Sequence, residues 1–130
     1  MLKQIAVKSS SRNQLIDITG DVAAVIKNSG VNDGLCIVFV PHTTAGVTIN
    51  EGADPSVVRD VLSKISTLVP LSDNYYHSEG NSDAHIKSSI VGCSLLVIIN
   101  GGQLLLGTWQ SIYFCEFDGP RNRKVYLKIV

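Results

Sequence analysis

Leu35-Cys36-Ile37-Val38-Phe39-Val40-Pro41-His42-Thr43-Thr44-Ala45-Gly46-Val47-Thr48-Ile49-Asn50 decides the fold class. Leu35 to Val40 is an unbroken apolar run stopped by proline, which predicts a buried strand. Gly46 to Asn50 alternates and predicts a second strand. Two strands in succession, with no helix between them, break the regular alternation of a doubly wound α/β sheet.

Downstream, Asp54-Pro55 starts a helix, because the aspartate is an N-cap acceptor and the proline suits the first helical position. Val57, Val58, Val61, Leu62 and Ile65 repeat at helical spacing, so this helix lies on a sheet. Leu71 to Asp83 has no period and reads as a loop. Ser82 caps a short helix through Val91, ended by Gly92. Ser94 to Asn100 and Gln103 to Leu106 flank a Gly101-Gly102 hairpin turn. Ser111 to Phe117 and Lys124 to Ile129 are joined by the turn Asp118-Gly119-Pro120-Arg121. Upstream, Gln4 to Lys8 and Gln14 to Ile18 read as strands about a turn over Ser10 to Asn13. Thr19 caps a helix from Gly20 to Asn28, which Gly30 ends. About eight strands and three helices in this order give an α+β fold, with residues 1–130 as one domain.

The chain is 45% apolar and 17% charged, a globular composition whose low charge hints at apolar surface covered by a partner subunit. Eleven basic residues balance eleven acidic ones, so no electrostatic footprint for nucleic acid is present. No run approaches the ~18 apolar residues of a membrane helix. Met1-Leu2-Lys3-Gln4-Ile5 is not followed by the apolar core of a signal peptide. A cytoplasmic protein with no membrane partner is expected. Cys36, Cys93 and Cys115 lack zinc-ribbon spacing and are expected as buried reduced thiols.

The three histidines, His42, His77 and His85, all lie in stretches of small polar residues. Imidazole is both a metal ligand and an acid or base near neutral pH, so the trio suggests one assembled site. His85 falls in the first turn of the Ser82 helix. There the positive dipole end keeps an imidazole lone pair free for metal and attracts phosphate. Ser88 and Ser89 border the His85 face. His42 follows a strand end, where Thr43 and Thr44 supply hydroxyls. Each histidine taken alone also fits a solvated surface residue. Asn50, Glu51 and Asp54 cluster at a strand-to-helix junction, with Asp54 as a cap and Glu51 as a general base or a group behind the metal ligands. Arg121 offers a donor fork for phosphate or simply a solvated turn residue. Glu116 either faces solvent or lines a pocket. Trp109 is core, interface or a stacking wall.

Pro41 to Glu51, Ala84-His85-Ile86-Lys87-Ser88-Ser89, Gly107-Thr108-Trp109-Gln110-Ser111-Ile112-Tyr113 and Glu116-Phe117-Asp118-Gly119-Pro120-Arg121 resemble, in this order, the YjbQ family (also called UPF0047). Ser111 stands where many relatives have glycine. The resemblance implies an α+β fold with packed mixed sheets, a homotrimer, and a metal-linked site at His42, His77 and His85. It also implies a secondary thiamine-phosphate synthase activity, joining hydroxymethylpyrimidine pyrophosphate to thiazole phosphate and releasing pyrophosphate. A divalent metal, zinc or magnesium, would offset the leaving-group charge. On that reading Glu51, His85 and Arg121 are catalytic. Thr43, Thr44, Asn50, Asn81, Lys87, Ser88, Ser89, Trp109, Glu116 and Arg121 bind phosphate or substrate. The alternatives are a metal-dependent hydrolase of a phosphorylated metabolite and a non-catalytic trimeric metal- or ligand-binding module.

Overall fold

A computed structural model describes residues 1–130. In chain order its elements are β1 (Leu2–Lys8), β2 (Gln14–Asp17), α1 (Thr19–Ser29), β3 (Asp33–Phe39), β4 (Ala45–Glu51), α2 (Pro55–Leu68), α3 (Ser82–Val91), β5 (Ser94–Asn100), β6 (Gln103–Leu104), β7 (Gln110–Glu116) and β8 (Asn122–Ile129). Five strands form one sheet in the order β1-β8-β3-β5-β6, and three form a second in the order β2-β7-β4. The α+β architecture is as expected. The sheets, expected to be mixed, pair antiparallel throughout.

Alternate residues of both sheets feed one core. Cys36 and Val38 of β3, Val125 and Leu127 of β8, and Val97 and Ile99 of β5 meet Val47 of β4 and Ile112 and Phe114 of β7. Val22 and Ile26 of α1 join them. The Gly101-Gly102 turn behaves as its sequence requires. Both glycines have positive φ, 60° and 76°, and Asn100 pairs with Gln103 across the turn. β6 stops at Leu104, short of the expected Leu106.

Both helix caps that rested on hydroxyls differ from expectation. Thr19 is the first residue of α1, and its amide is held by the Asp17 carboxylate at 2.9 Å. Its own hydroxyl accepts the Ile112 amide at 2.8 Å, tying helix to sheet. Ser82 is likewise inside α3, and Asn81 precedes it without a side-chain cap. Asp54 does cap α2, accepting from the Ser56 amide at 2.9 Å.

Strand β3, expected to be buried, is buried on one face only. Leu35 and Phe39 are 38% and 42% exposed, and Leu96 and Ile98 on neighbouring β5 are 54% and 47% exposed. Leu35 pairs with Ile98 and Ile37 with Leu96, so these side chains form one apolar patch on the outer face.

Close approach fixes one glycine. A Cβ on Gly46 would sit 2.5 Å from the Gly92 carbonyl oxygen, which accepts the Val47 amide at 3.0 Å. Gly46→Ala is expected to lower the urea midpoint, at a cost of about 1–3 kcal/mol, because β4 and the end of α3 must move apart. Helix α2 is held less tightly. None of its residues is fully buried, and it covers the outer face of the three-stranded sheet over an apolar cavity of ≈ 100 Å³.

Candidate functional site

Four chain segments meet at one end of the molecule: the loop after β3, the loop entering α3, the first turn of α3, and the turn between β7 and β8. They enclose a cleft of ≈ 430 Å³ with no hydrophobic residue in its lining. His42, His77 and His85 all border it, with Thr43, Thr44 and Glu79. The His77 and His85 rings are 5.3 Å apart between centroids and nearly perpendicular at 89°. His77 Nε2 is 3.9 Å from Glu79 Oε2, an ion pair only when the ring is protonated. His42 Nε2 lies 3.1 Å from both the amide N and the carbonyl O of Lys124. Burial first, and then the Arg123 charge, hold the His42 pKa below its ordinary 6.5, which favours the neutral ring near pH 7.

Two charge networks, the first of them buried, brace this cleft. In the first, Glu116 is fully buried and accepts from Ser9 Oγ at 2.6 Å, from Arg123 Nε at 2.9 Å and from the Asp118 amide at 3.1 Å. Arg123 Nη2 also bonds Thr44 Oγ1 at 2.8 Å, which fixes the loop carrying His42. Burial pushes the Glu116 carboxyl up, but the Arg123 and Ser9 hydrogen bonds outweigh it and leave its pKa lowered. In the second network, Asp118 accepts from Asn81 Nδ2 at 2.9 Å and Arg121 Nη2 at 2.9 Å. Arg12 reaches Asp83 at 3.1 Å, Asp118 at 3.6 Å and the Gly80 carbonyl at 3.3 Å. Arg12 therefore ties the His77 loop and the α3 start to the Arg121 turn. No motif in the sequence singled it out, since its partners lie 68 and 71 residues away.

The comparisons fit this architecture from end to end. The family described as UPF0047 protein YjbQ-like matches residues 3–130. The chain belongs to the YjbQ/UPF0047 family. A UPF0047 protein of Methanocaldococcus jannaschii is 55% identical over 130 residues, which cover 100% of this chain and 94% of that one. The UPF0047 protein YugU of Bacillus subtilis is 49% identical, with 100% and 99% covered. A crystal structure of a YjbQ/UPF0047 family protein from Clostridium acetobutylicum superposes with a TM-score of 0.97 at 54% identity, covering 98% of this chain and 99% of that one.

Within this YjbQ-family fold the expected site residues divide. Thr43, Thr44, Asn81 and Arg121 border the histidine cleft. Ser88 and Ser89 border an adjoining pocket that shares His42 and His85. Cys93, expected to be buried, is exposed and lines that same pocket, whereas Cys36 and Cys115 are buried. Burial pushes the Cys36 and Cys115 thiols up to about 11 and about 12.

Five expected site residues, the catalytic candidate Glu51 and four substrate contacts, are absent from the cleft lining. Lys87 is buried, and its ammonium is spent on Asp83 and Asn13, both at 3.1 Å. Glu116 has its carboxylate occupied, as above. Glu51 and Asn50 end β4, six and five residues beyond Ala45, so they stand roughly 15–20 Å along the strand from the cleft. Trp109 is 64% exposed near that same far end, where its carbonyl accepts the Gly52 amide.

The donor chemistry of the cleft fits a metal of intermediate softness. Imidazoles suit zinc, whereas magnesium asks for oxygen ligands. The buried Oδ1 of Asn81, also at the cleft, accepts no hydrogen bond and adds an uncommitted oxygen. No three His, Cys, Asp or Glu side chains stand grouped as a ready-made chelate. No helix is long and apolar enough to cross a membrane.

Proposed function

We propose that the histidine cleft performs metal-assisted chemistry on a phosphorylated small molecule. The observation that carries this reading is that three imidazoles and an anchored arginine border one wholly polar cleft. His42, His77 and His85 would hold the metal. Bound there, a divalent ion would supply Lewis-acid stabilisation to a departing phosphate or pyrophosphate. Arg121 is aligned by Asp118 through Nε and Nη2, which leaves Nη1 for a phosphate oxygen. Thr43 and the positive end of α3 complete the anion cradle.

In the transferase form of this reading, resembling thiamine-phosphate synthase, the thiazole nitrogen attacks the methylene carbon of hydroxymethylpyrimidine pyrophosphate. The C–O bond breaks and its electron pair leaves with pyrophosphate. The nucleophile needs no activation, so the protein's work is to align two substrates and hold the anion. A second reading, hydrolysis of a phosphorylated metabolite, is favoured by the all-polar lining, which offers no ring-stacking wall and no barrier to water. Purified protein loaded with zinc is incubated with the two thiamine precursors and, separately, with a phosphomonoester panel. Pyrophosphate release that requires both precursors supports transfer, while phosphate release from single substrates supports hydrolysis. Saturable metal and phosphate binding with neither reaction indicates the non-catalytic module.

The same proposal includes a homotrimer assembled through the outer face of the five-stranded sheet. The apolar patch of Leu35, Phe39, Leu96 and Ile98 supports it. A Leu96→Glu chain is expected to elute and scatter light as a monomer while keeping its circular dichroism. A trimeric mass for that variant would reject this face as the interface.

A further inference from the structure

Glu51 and Asn50 are not absorbed by the histidine cleft. Both border the cavity beneath α2 instead. Val57, Leu62 and Ile65 of the helix and Leu15 and Cys115 of the sheet form its apolar walls. The hydrogen bonds that Glu51 makes, to Asn50 Oδ1 at 2.7 Å and from the Tyr113 hydroxyl at 2.9 Å, both use its backbone. Its carboxylate takes part in no hydrogen bond or ion pair, although it is half-buried.

Two physical oddities therefore coincide. An amphipathic helix sits over open space without burying any residue completely. An unpaired anion borders that space, where burial without a partner is unfavourable. An engineered apolar cavity of about 150 Å³ stays dry and takes up benzene. The cavity here, at ≈ 100 Å³, has room for one ring-sized body, with the head at the mouth.

We propose that the cavity under α2 is a second binding site, separate from the histidine cleft, for a small apolar molecule carrying a cationic amine. The hydrocarbon body fills the space between helix and sheet, and the ammonium pairs with Glu51. The same carboxylate disfavours an anionic head of equal size.

Benzylamine, toluene and benzoate share a ring and differ in the head, so they test both halves of the proposal. Each is titrated to about 1–10 mM, the range set by so few heavy atoms. Methyl NMR and thermal unfolding are read in parallel. Benzylamine is expected to shift the methyl signals of Val57, Leu62 and Ile65 and to raise the unfolding midpoint. Toluene does so more weakly, and benzoate not at all. Glu51→Gln is expected to weaken benzylamine at least tenfold and leave toluene unchanged. Leu62→Phe, or Val58→Phe if the first variant fails to fold, fills the space and abolishes binding of both. Three results would overturn the proposal: no methyl response to benzylamine, benzoate binding as well as benzylamine, or Glu51→Gln leaving benzylamine binding intact. None of these readouts involves the histidine cleft, so the two sites stand or fall separately.

Discussion

A Glu116→Ala chain is expected to lose about 3–5 kcal/mol of stability, the cost of leaving a buried charge without its partner. Arg123 loses the carboxylate that receives its Nε and Nη2, and Ser9 and the Asp118 amide lose their acceptor. For a chain of this length the thermal midpoint should fall by roughly 10 °C or more. Glu116→Gln is expected to be milder in bulk but still costly, because the amide cannot carry the charge that Arg123 faces. The wild-type acid limb gives an independent check. The folded-state pKa of Glu116 is lowered, so the unfolded chain binds the proton first as pH falls. Its contribution is fully present above the unfolded value of about 4.5 and is lost as pH drops through the folded value. Urea midpoints measured from pH 7 downward should decline through that window, and the decline should be shallower in Glu116→Gln. A Glu116→Ala midpoint within about 1 °C of wild type would show that the network contributes specificity rather than stability.

His85→Ala is expected to reduce turnover by about 10²–10⁴-fold if the cleft is catalytic, with the fold intact. The fold should survive because His85 is only part-buried and its side chain makes no hydrogen bond; the bonds it enters use its backbone. Zinc affinity, measured by competition with a chelator, should fall in the same variant. An unchanged rate with unchanged zinc affinity would end the metal-assisted reading. An unchanged rate with lost zinc affinity would show that His85 holds the metal but that turnover does not need it. Arg121→Lys makes a useful companion, because lysine keeps the charge but loses the fork aligned on Asp118. A raised KM with little change in kcat is the signature of ground-state phosphate binding.

The divide between what was legible in the residues and what was not follows the range of the interactions involved. Asp54-Pro55, Gly101-Gly102 and the alternation around Val47 act within a few residues, so they located α2, the β5–β6 hairpin and β4 correctly. The three histidines share a polar setting in the sequence and all border one cleft, although they do not stand grouped as a chelate. Lys87 and Glu116 were misassigned because a charged residue in a sequence carries no mark of burial. Each combines a nearby ion-pair partner, Asp83 for Lys87 and Arg123 for Glu116, with a remote one, Asn13 and Ser9 respectively. Glu51, read as a general base or a group behind the metal ligands, lies instead at the far end of a seven-residue strand.

The amino-acid sequence alone determined the order of strands and helices, the α+β class and the family, because turn chemistry and hydrophobic period are local and motif order survives without coordinates. Only the tertiary structure decided which face of β3 is covered, which acids and bases neutralise each other, and that Arg12 braces the cleft. Those outcomes depend on burial and three-dimensional geometry, which set the pairing energy and which no local pattern encodes, even where the paired residues are near in the chain.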